Sequence, residues 1–203
     1  MVKEGQKAPR FELPSDAGKN VRLDDFAGKP VVVYFYPRDN TPGCTREAQA
    51  FAAAGKELAK LGATVLGISK DSVTSHCGFR DKYKLNFPLL SDADLSVHKA
   101  FGAYGEKNMY GKKVQGTIRS TFVVAPDGNL AKVFSSVKVD GHADAVLDVL
   151  RGMSGGKSAA PAAKPAKAPA KKAAAPAKAA PAKKAPAKKA AAAPAKKAPA
   201  RKR

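Results

Sequence analysis

Six consecutive residues, Val31 to Tyr36 (Val-Val-Val-Tyr-Phe-Tyr), are β-branched or aromatic with no polar position among them. Such an unbroken run suits a strand buried on both faces. Pro37 ends it, and Pro42-Gly43 marks a turn. Good helix formers follow from Cys44 to Leu61, and Gly62 stands where a C-terminal stop belongs. Ala63 to Ser69 is a second apolar strand. Asp71 or Ser72 can cap a helix running to about Tyr83, with His76, Phe79 and Tyr83 on one face. Phe87 to Leu90 is short and apolar, and Val97 to Phe101 is a short helix. Thr121 to Val124, Ala-Pro-Asp-Gly and Leu130 to Phe134 read as a hairpin, and His142 to Leu150 as a closing helix.

That order of elements predicts an α/β domain with a central mixed sheet flanked by helices. Early βαβ units with a late antiparallel hairpin point to a thioredoxin-like fold. The pattern stops near Met153, so the expected division is a domain over 1–153 and a tail over 154–203. The tail contains only Ala, Lys, Pro, Gly, Ser and Arg. With no aromatic or large aliphatic residue it buries too little to offset its ordering entropy, and prolines from 161 to 199 interrupt every helix. It is expected to be disordered and extended, spanning ~40 Å as a flexible chain.

Charge separates the same two parts. The chain is formally +20, from 37 Lys and Arg against 17 Asp and Glu. The tail holds no acidic residue and carries +15, leaving +5 for the domain. No apolar run is long enough for a transmembrane helix, and Met-Val-Lys-Glu-Gly-Gln-Lys at the start lacks a signal peptide's apolar stretch. Two cysteines do not make a disulfide framework; they fit a reducing cytoplasm, the expected location.

One of them sits where chemistry is favoured. Cys44 falls in the first helical turn, where unpaired backbone N–H groups and the positive end of the helix dipole favour a thiolate. Thr41, three residues earlier, can bring its hydroxyl to the sulfur or to a bound oxygen. Pro37 and Pro42 shape the pocket and limit water access. A dithiol reductase needs Cys-x-x-Cys at such a junction; Thr41-Pro42-Gly43-Cys44 puts a hydroxyl in place of the first thiol. The site can still use one thiolate as a nucleophile.

The stretch Pro37-Arg38-Asp39-Asn40-Thr41-Pro42-Gly43-Cys44 resembles the Pro-x-x-x-Thr-x-x-Cys signature of peroxiredoxins. Its surroundings are similar to the bacterioferritin comigratory protein, or PrxQ, subfamily. So are Lys-Asp-Ser-Val-x-Ser-His, Phe-Pro-Leu-Leu-Ser-Asp, Met-Tyr-Gly-Lys-Lys and Arg-Ser-Thr-Phe, within about Gln6 to Leu150. The resemblance implies a peroxidase that reduces hydrogen peroxide and organic hydroperoxides and is recycled by thioredoxin or a similar thiol. Cys44 would be the peroxidatic cysteine, Thr41 would hold the peroxide, and Pro37 would shield the site. Arg119 would orient the peroxide and stabilise the thiolate, with Glu47 in the arginine's network. The chemistry requires no metal or organic cofactor, and His76, His98 and His142 show no ligand spacing. A monomer is expected.

The sequence departs from the subfamily at the second thiol. Many relatives carry a resolving cysteine five residues after the first, where this chain has Gln49. Others carry it on the next helix, about one turn beyond Cys77, where this chain has Arg80. Cys77 points off the centre of the His76–Phe79–Tyr83 face, so it is expected at a boundary or exposed. It is either the resolving cysteine or an incidental thiol, and in the second case an external thiol resolves the sulfenate.

The tail resembles those of linker histones. A mobile polycation condenses on polyanions by releasing counterions, and without aromatic residues it reads no sequence. DNA is the leading expected partner, with anionic lipid, RNA and polyphosphate as alternatives, through paired lysines such as Lys171, Lys172, Lys183, Lys184, Lys188, Lys189, Lys196 and Lys197. This would place the protein at the nucleoid. Two functions follow: a peroxidase held near DNA, or a nucleic-acid-compacting protein on a peroxiredoxin scaffold. Retention of Pro37, Thr41, Cys44 and Arg119 together favours the first.

Overall fold

The computed structural model describes residues 2–109 and 112–154. The chain opens with a small hairpin, β1 (Glu12–Pro14) and β2 (Asn20–Arg22), then a 3-10 turn over Leu23–Phe26. β3 (Val31–Phe35), α1 (Pro42–Lys60), β4 (Thr64–Ser69) and α2 (Val73–Tyr83) form the first βαβα run. β5 (Leu89–Ser91), α3 (Ser96–Phe101) and a second hairpin, β6 (Tyr104–Met109) and β7 (Lys112–Thr117), follow. β8 (Ser120–Val124), β9 (Leu130–Ser135) and α4 (His142–Ser154) complete the described chain.

The central sheet has the order β5-β4-β3-β8-β9. β3, β4 and β5 are parallel to one another, β8 pairs antiparallel with β3, and β9 pairs antiparallel with β8. This is the mixed thioredoxin-like sheet that the element order predicts. β3 lies at its centre, and all five of its residues are buried. Its alternation assigns the two layers. Val32 and Tyr34 point to one face, with Cys44, Ala48, Phe51 and Leu58 of α1, Phe79 of α2, and Val146, Leu147 and Leu150 of α4. Val31, Val33 and Phe35 point to the other, with Phe11 and Leu13 at the amino terminus and Val97 and Phe101 of α3. Gly67, the register partner of Tyr34 on β4, leaves room for that ring: a Cβ there would lie 2.8 Å from the Tyr34 hydroxyl.

α1 begins two residues before Cys44, at Pro42, because proline at the first helical position gives up an N–H that has no partner there. Ser72 caps α2, its hydroxyl accepting from the Ser75 N–H at 3.3 Å. α4 continues through Ser154, beyond the expected end at Leu150. Two hairpins were not read from the sequence. β1 and β2 have three residues each, and β6–β7 is polar with Gly105 opposite Gly116. The expected disorder of the tail and its lysines from Lys171 to Lys197 lie outside the described residues, as do Tyr110 and Gly111 of the Met-Tyr-Gly-Lys-Lys motif.

Candidate active site

The chain leaves β3 at the C-terminal edge of the sheet, turns through residues 37–41, and re-enters as α1. Asn40 takes a left-handed conformation in this loop (φ 57°), which asparagine tolerates better than most residues. Thr41 occupies the N-cap, where a threonine side chain normally accepts from the second or third N–H of the helix. Here it makes no such bond; its hydroxyl donates to the Arg38 carbonyl at 3.1 Å. The first helical backbone bond runs from the Thr45 N–H to the Thr41 carbonyl, 2.9 Å. The Gly43 and Cys44 N–H groups thus precede the first intrahelical bond, and no capping side chain takes them.

Cys44 is 2% exposed and faces the interior. Its sulfur accepts from Nη2 of Arg119 at 3.2 Å. Arg119 stands between β7 and β8, and its carbonyl is anchored by the Val137 N–H at 3.0 Å. Nη1 of the same guanidinium donates to Oε2 of Glu47. Cys44 and Glu47 are three residues apart on α1 and share a face, so one planar cation spans both. Gly43 adjoins the guanidinium: a Cβ there would lie 3.4 Å from Arg119 Nη2, about van der Waals contact. The structure therefore brings Cys44, Glu47 and Arg119 together. Thr41 and the half-buried Pro37 lie on the loop leading into them, and the Thr41 hydroxyl bonds to the backbone rather than to the sulfur.

Burial sets the electrostatics. It pushes the Glu47 carboxyl up to about 7, against the pull of Arg119. The second oxygen, Oε1, has no hydrogen-bond partner among the described residues. Burial also works against the charge of Arg119, but Glu47 and Cys44 hold its pKa above the usual value. His142, at the start of α4, is bonded to the Thr121 hydroxyl at 2.8 Å. Burial, and then the charge of Arg119, lower it to about 4, so it is neutral at pH 7. Arg119 is thus the cation of the pocket, aimed at the sulfur.

A second polar network was not recognised as a unit in the sequence. The buried Asp39 carboxylate accepts from the Tyr36 hydroxyl (2.7 Å) and the Ser75 hydroxyl (2.6 Å), and it contacts His76 Nδ1 at 2.9 Å. Burial works against its charge, yet His76, Ser75 and Tyr36 hold its pKa below the usual range. Asp39, Ser75 and His76 all fall inside the quoted motifs. That was the available signal, but their mutual contact appears only in the fold.

Cys77 lies elsewhere. It is half-buried on α2, as its helical phase predicts, and its thiol donates to the Asp16 carbonyl at 3.0 Å. Arg80, one turn on, reaches the Asp16 carboxylate at 2.6 Å. The two cysteines are free thiols, with no disulfide between them.

Residues 4–133 match the AhpC/TSA family. The chain is 48% identical to peroxiredoxin Bcp of Xanthomonas campestris over 146 residues, covering 71% of this chain and 91% of that protein. It is 44% identical to peroxiredoxin Bcp of Escherichia coli, covering 74% and 96%. Among solved structures, X. campestris peroxiredoxin Q superposes with a TM-score of 0.68 at 46% identity, covering 71% of this chain and 91% of that one. Two further structures of that protein are serine mutants of two different cysteines. The chain belongs to the AhpC/TSA family, among the peroxiredoxins of the Bcp/PrxQ type.

Proposed function

We propose that this peroxiredoxin reduces hydrogen peroxide and organic hydroperoxides at Cys44, with Arg119, Thr41, Glu47 and Pro37 as the other residues of the site. The observation that carries the reading is the single guanidinium that touches both the Cys44 sulfur and Glu47. The Cys44 thiolate attacks the hydroxyl oxygen of the peroxide in line with the O–O bond. An S–O bond forms, the O–O bond breaks, and sulfur is oxidised to sulfenic acid while the other oxygen leaves as alkoxide or hydroxide. Negative charge moves from sulfur to the leaving oxygen. Arg119 and the free Gly43 and Cys44 N–H groups can follow it, stabilising the transition state more than the ground state. Thr41 accepts the peroxide O–H, and Pro37 screens the pocket from water.

Cys77 is proposed as the resolving thiol. Its thiolate attacks the sulfenic sulfur, forms a Cys44–Cys77 disulfide and releases water. Support comes from its partial exposure and from the absence of any other second thiol in the chain. The spacing of the two cysteines mutated in X. campestris peroxiredoxin Q, carried over from Cys44, falls on Arg80. Arg80 and Cys77 both meet Asp16, so Cys77 sits one turn away on the same side of α2. Thioredoxin or a similar dithiol then reduces the disulfide.

For the tail over 154–203 we propose sequence-blind DNA binding by a monomeric, cytoplasmic, nucleoid-associated enzyme. The support is its charge of +15 without one acidic residue. Peroxide consumption with thioredoxin as reductant tests the enzyme. Turnover is expected in the full chain and is lost in Cys44→Ser. Truncation after Met153 should preserve turnover while removing most DNA affinity. DNA binding without turnover would favour the compacting protein instead. Engaging half of the tail charges gives a slope of log affinity against log salt of roughly −7.

A further inference from the structure

The loop that carries Thr41 is held from a side the sulfur chemistry does not touch. Asp71 follows β4 and directly precedes Ser72, the cap of α2. Its Oδ2 accepts from the Asp39 N–H at 2.6 Å and from the Ser69 hydroxyl at 3.1 Å. Its own N–H donates to the Ser69 hydroxyl at 3.0 Å, and its carbonyl accepts from the Ser91 hydroxyl at 2.6 Å. Asp71 is therefore fixed by the ends of β4 and β5. The Asp39 N–H and the Arg38 carbonyl belong to one planar peptide unit. That carbonyl is the acceptor of the Thr41 hydroxyl, at 3.1 Å. A carboxylate, a peptide and a hydroxyl thus stand in series, leading from α2 to the peroxide-binding loop.

We propose that Asp71 is a positioning residue for the peroxide step: it fixes the Arg38–Asp39 peptide so that the carbonyl takes the Thr41 proton and Thr41 Oγ1 faces the peroxide as an acceptor. This rests on the reading of Thr41 as the peroxide-binding group. A hydroxyl has one proton and two lone pairs. With its proton engaged on Arg38, Oγ1 has only lone pairs to offer, and a hydroperoxide has one O–H to give. The oxygen that carries this proton is the one sulfur attacks. Thr41 therefore selects the attacked oxygen by its proton, while Arg119 is left for the leaving oxygen. The bond from Asp39 N–H to Asp71 is charge-assisted and polarises the peptide, making the Arg38 carbonyl a better acceptor. Asp39 keeps the same peptide in place from within, through Tyr36, Ser75 and His76.

The test is a double-mutant cycle on the full chain, reading the second-order rate constant for Cys44 oxidation by an organic hydroperoxide, cumene hydroperoxide, which carries a single O–H. Thr41→Val is expected to slow this step about tenfold, and Asp71→Ala about fivefold, the scale of one lost orienting hydrogen bond. Asp71→Asn, whose amide oxygen can accept the same N–H, should stay within about twofold of the wild type. In the Thr41→Val background, Asp71→Ala should change the rate by less than about twofold, because nothing remains to orient. A general loss of stability would instead slow both backgrounds equally, and that result overturns the proposal. So does a normal rate in Asp71→Ala, or failure of Asp71→Asn to rescue. A normal rate in Thr41→Val would remove the Thr41 reading itself, and this inference with it. If Asp71→Ala does not fold, Ser69→Ala enters the same cycle with the same expected and overturning outcomes.

Discussion

Cys44 and Cys77 are one side chain in two opposed settings. The Cys44 sulfur is buried at a helix start whose N-cap residue does not cap, and it accepts from a guanidinium. The Cys77 sulfur is half-buried within the next helix and gives its proton to the Asp16 carbonyl. The first sulfur faces a fixed cation, while the second is engaged with a backbone carbonyl that must be released before it can act. The order of chemistry follows from these partners rather than from the thiols themselves. In the proposed cycle Cys44 meets peroxide first, and Cys77 acts after a local rearrangement. Cys44 lies in the first turn of α1, and the ends of helices open at low cost, so the first turn is the segment expected to move.

The harshest break of the comparison is Cys44→Ser. It should lower hydroperoxide turnover by at least ~10³-fold, because the nucleophile is gone. Comparable turnover in this variant would reassign the reaction to Cys77. Arg119→Ala comes next. It removes the cation that distinguishes the two sulfurs and should slow Cys44 oxidation ~10²-fold, the scale of losing a preorganised donor. Arg119→Lys should not restore the rate, since one ammonium cannot span Cys44 and Glu47 as the planar fork does. Cys77→Ser should leave the first, peroxide-consuming event within about twofold of the wild type while lowering thioredoxin-dependent turnover about tenfold. Full turnover in that variant would make Cys77 incidental.

A last effect is on stability rather than on rate. Glu47 titrates at about 7 in the fold against 4.5 ordinarily, so folding favours its protonated form. That stabilisation is present in full below the unfolded value and is lost as pH rises through the folded one. Relative to Glu47→Gln, which cannot ionise, the wild type should lose about 3 kcal/mol between roughly pH 4.5 and 7. Denaturant unfolding of both proteins at several pH values reads this difference. A constant difference would mean that Arg119 keeps the carboxylate ionised throughout.

The sequence was most legible where a local pattern decides the structure. The unbroken run from Val31 to Phe35 can only be buried on both faces, and it became the central strand. The helix formers from Cys44 to Leu61 located α1 and put Cys44 in its first turn, although the helix begins at Pro42, within the pair read as a turn. The β6–β7 hairpin carried no such pattern; its strands are rich in charged residues and glycine, and cross-strand pairing holds them. The site divides in the same way. Cys44 could be singled out from its own helix, but Arg119 meets it across 75 positions and reached the sequence reading only through motif resemblance. Asp39 and His76 are 37 positions apart, and Asp39 and Asp71 are 32. Nothing local tells a buried carboxylate that holds a loop from a solvated one.

The opposition between the two thiols is tested most directly by the mass of the non-reduced full chain after one equivalent of hydrogen peroxide, followed by peptide mapping. The expected product has lost two hydrogens and contains a Cys44–Cys77 cross-linked peptide; Cys77→Ser should instead gain one oxygen on Cys44. Oxygen on Cys77 with Cys44 still a free thiol would contradict the assignment of Cys44 as the sulfur that meets the peroxide.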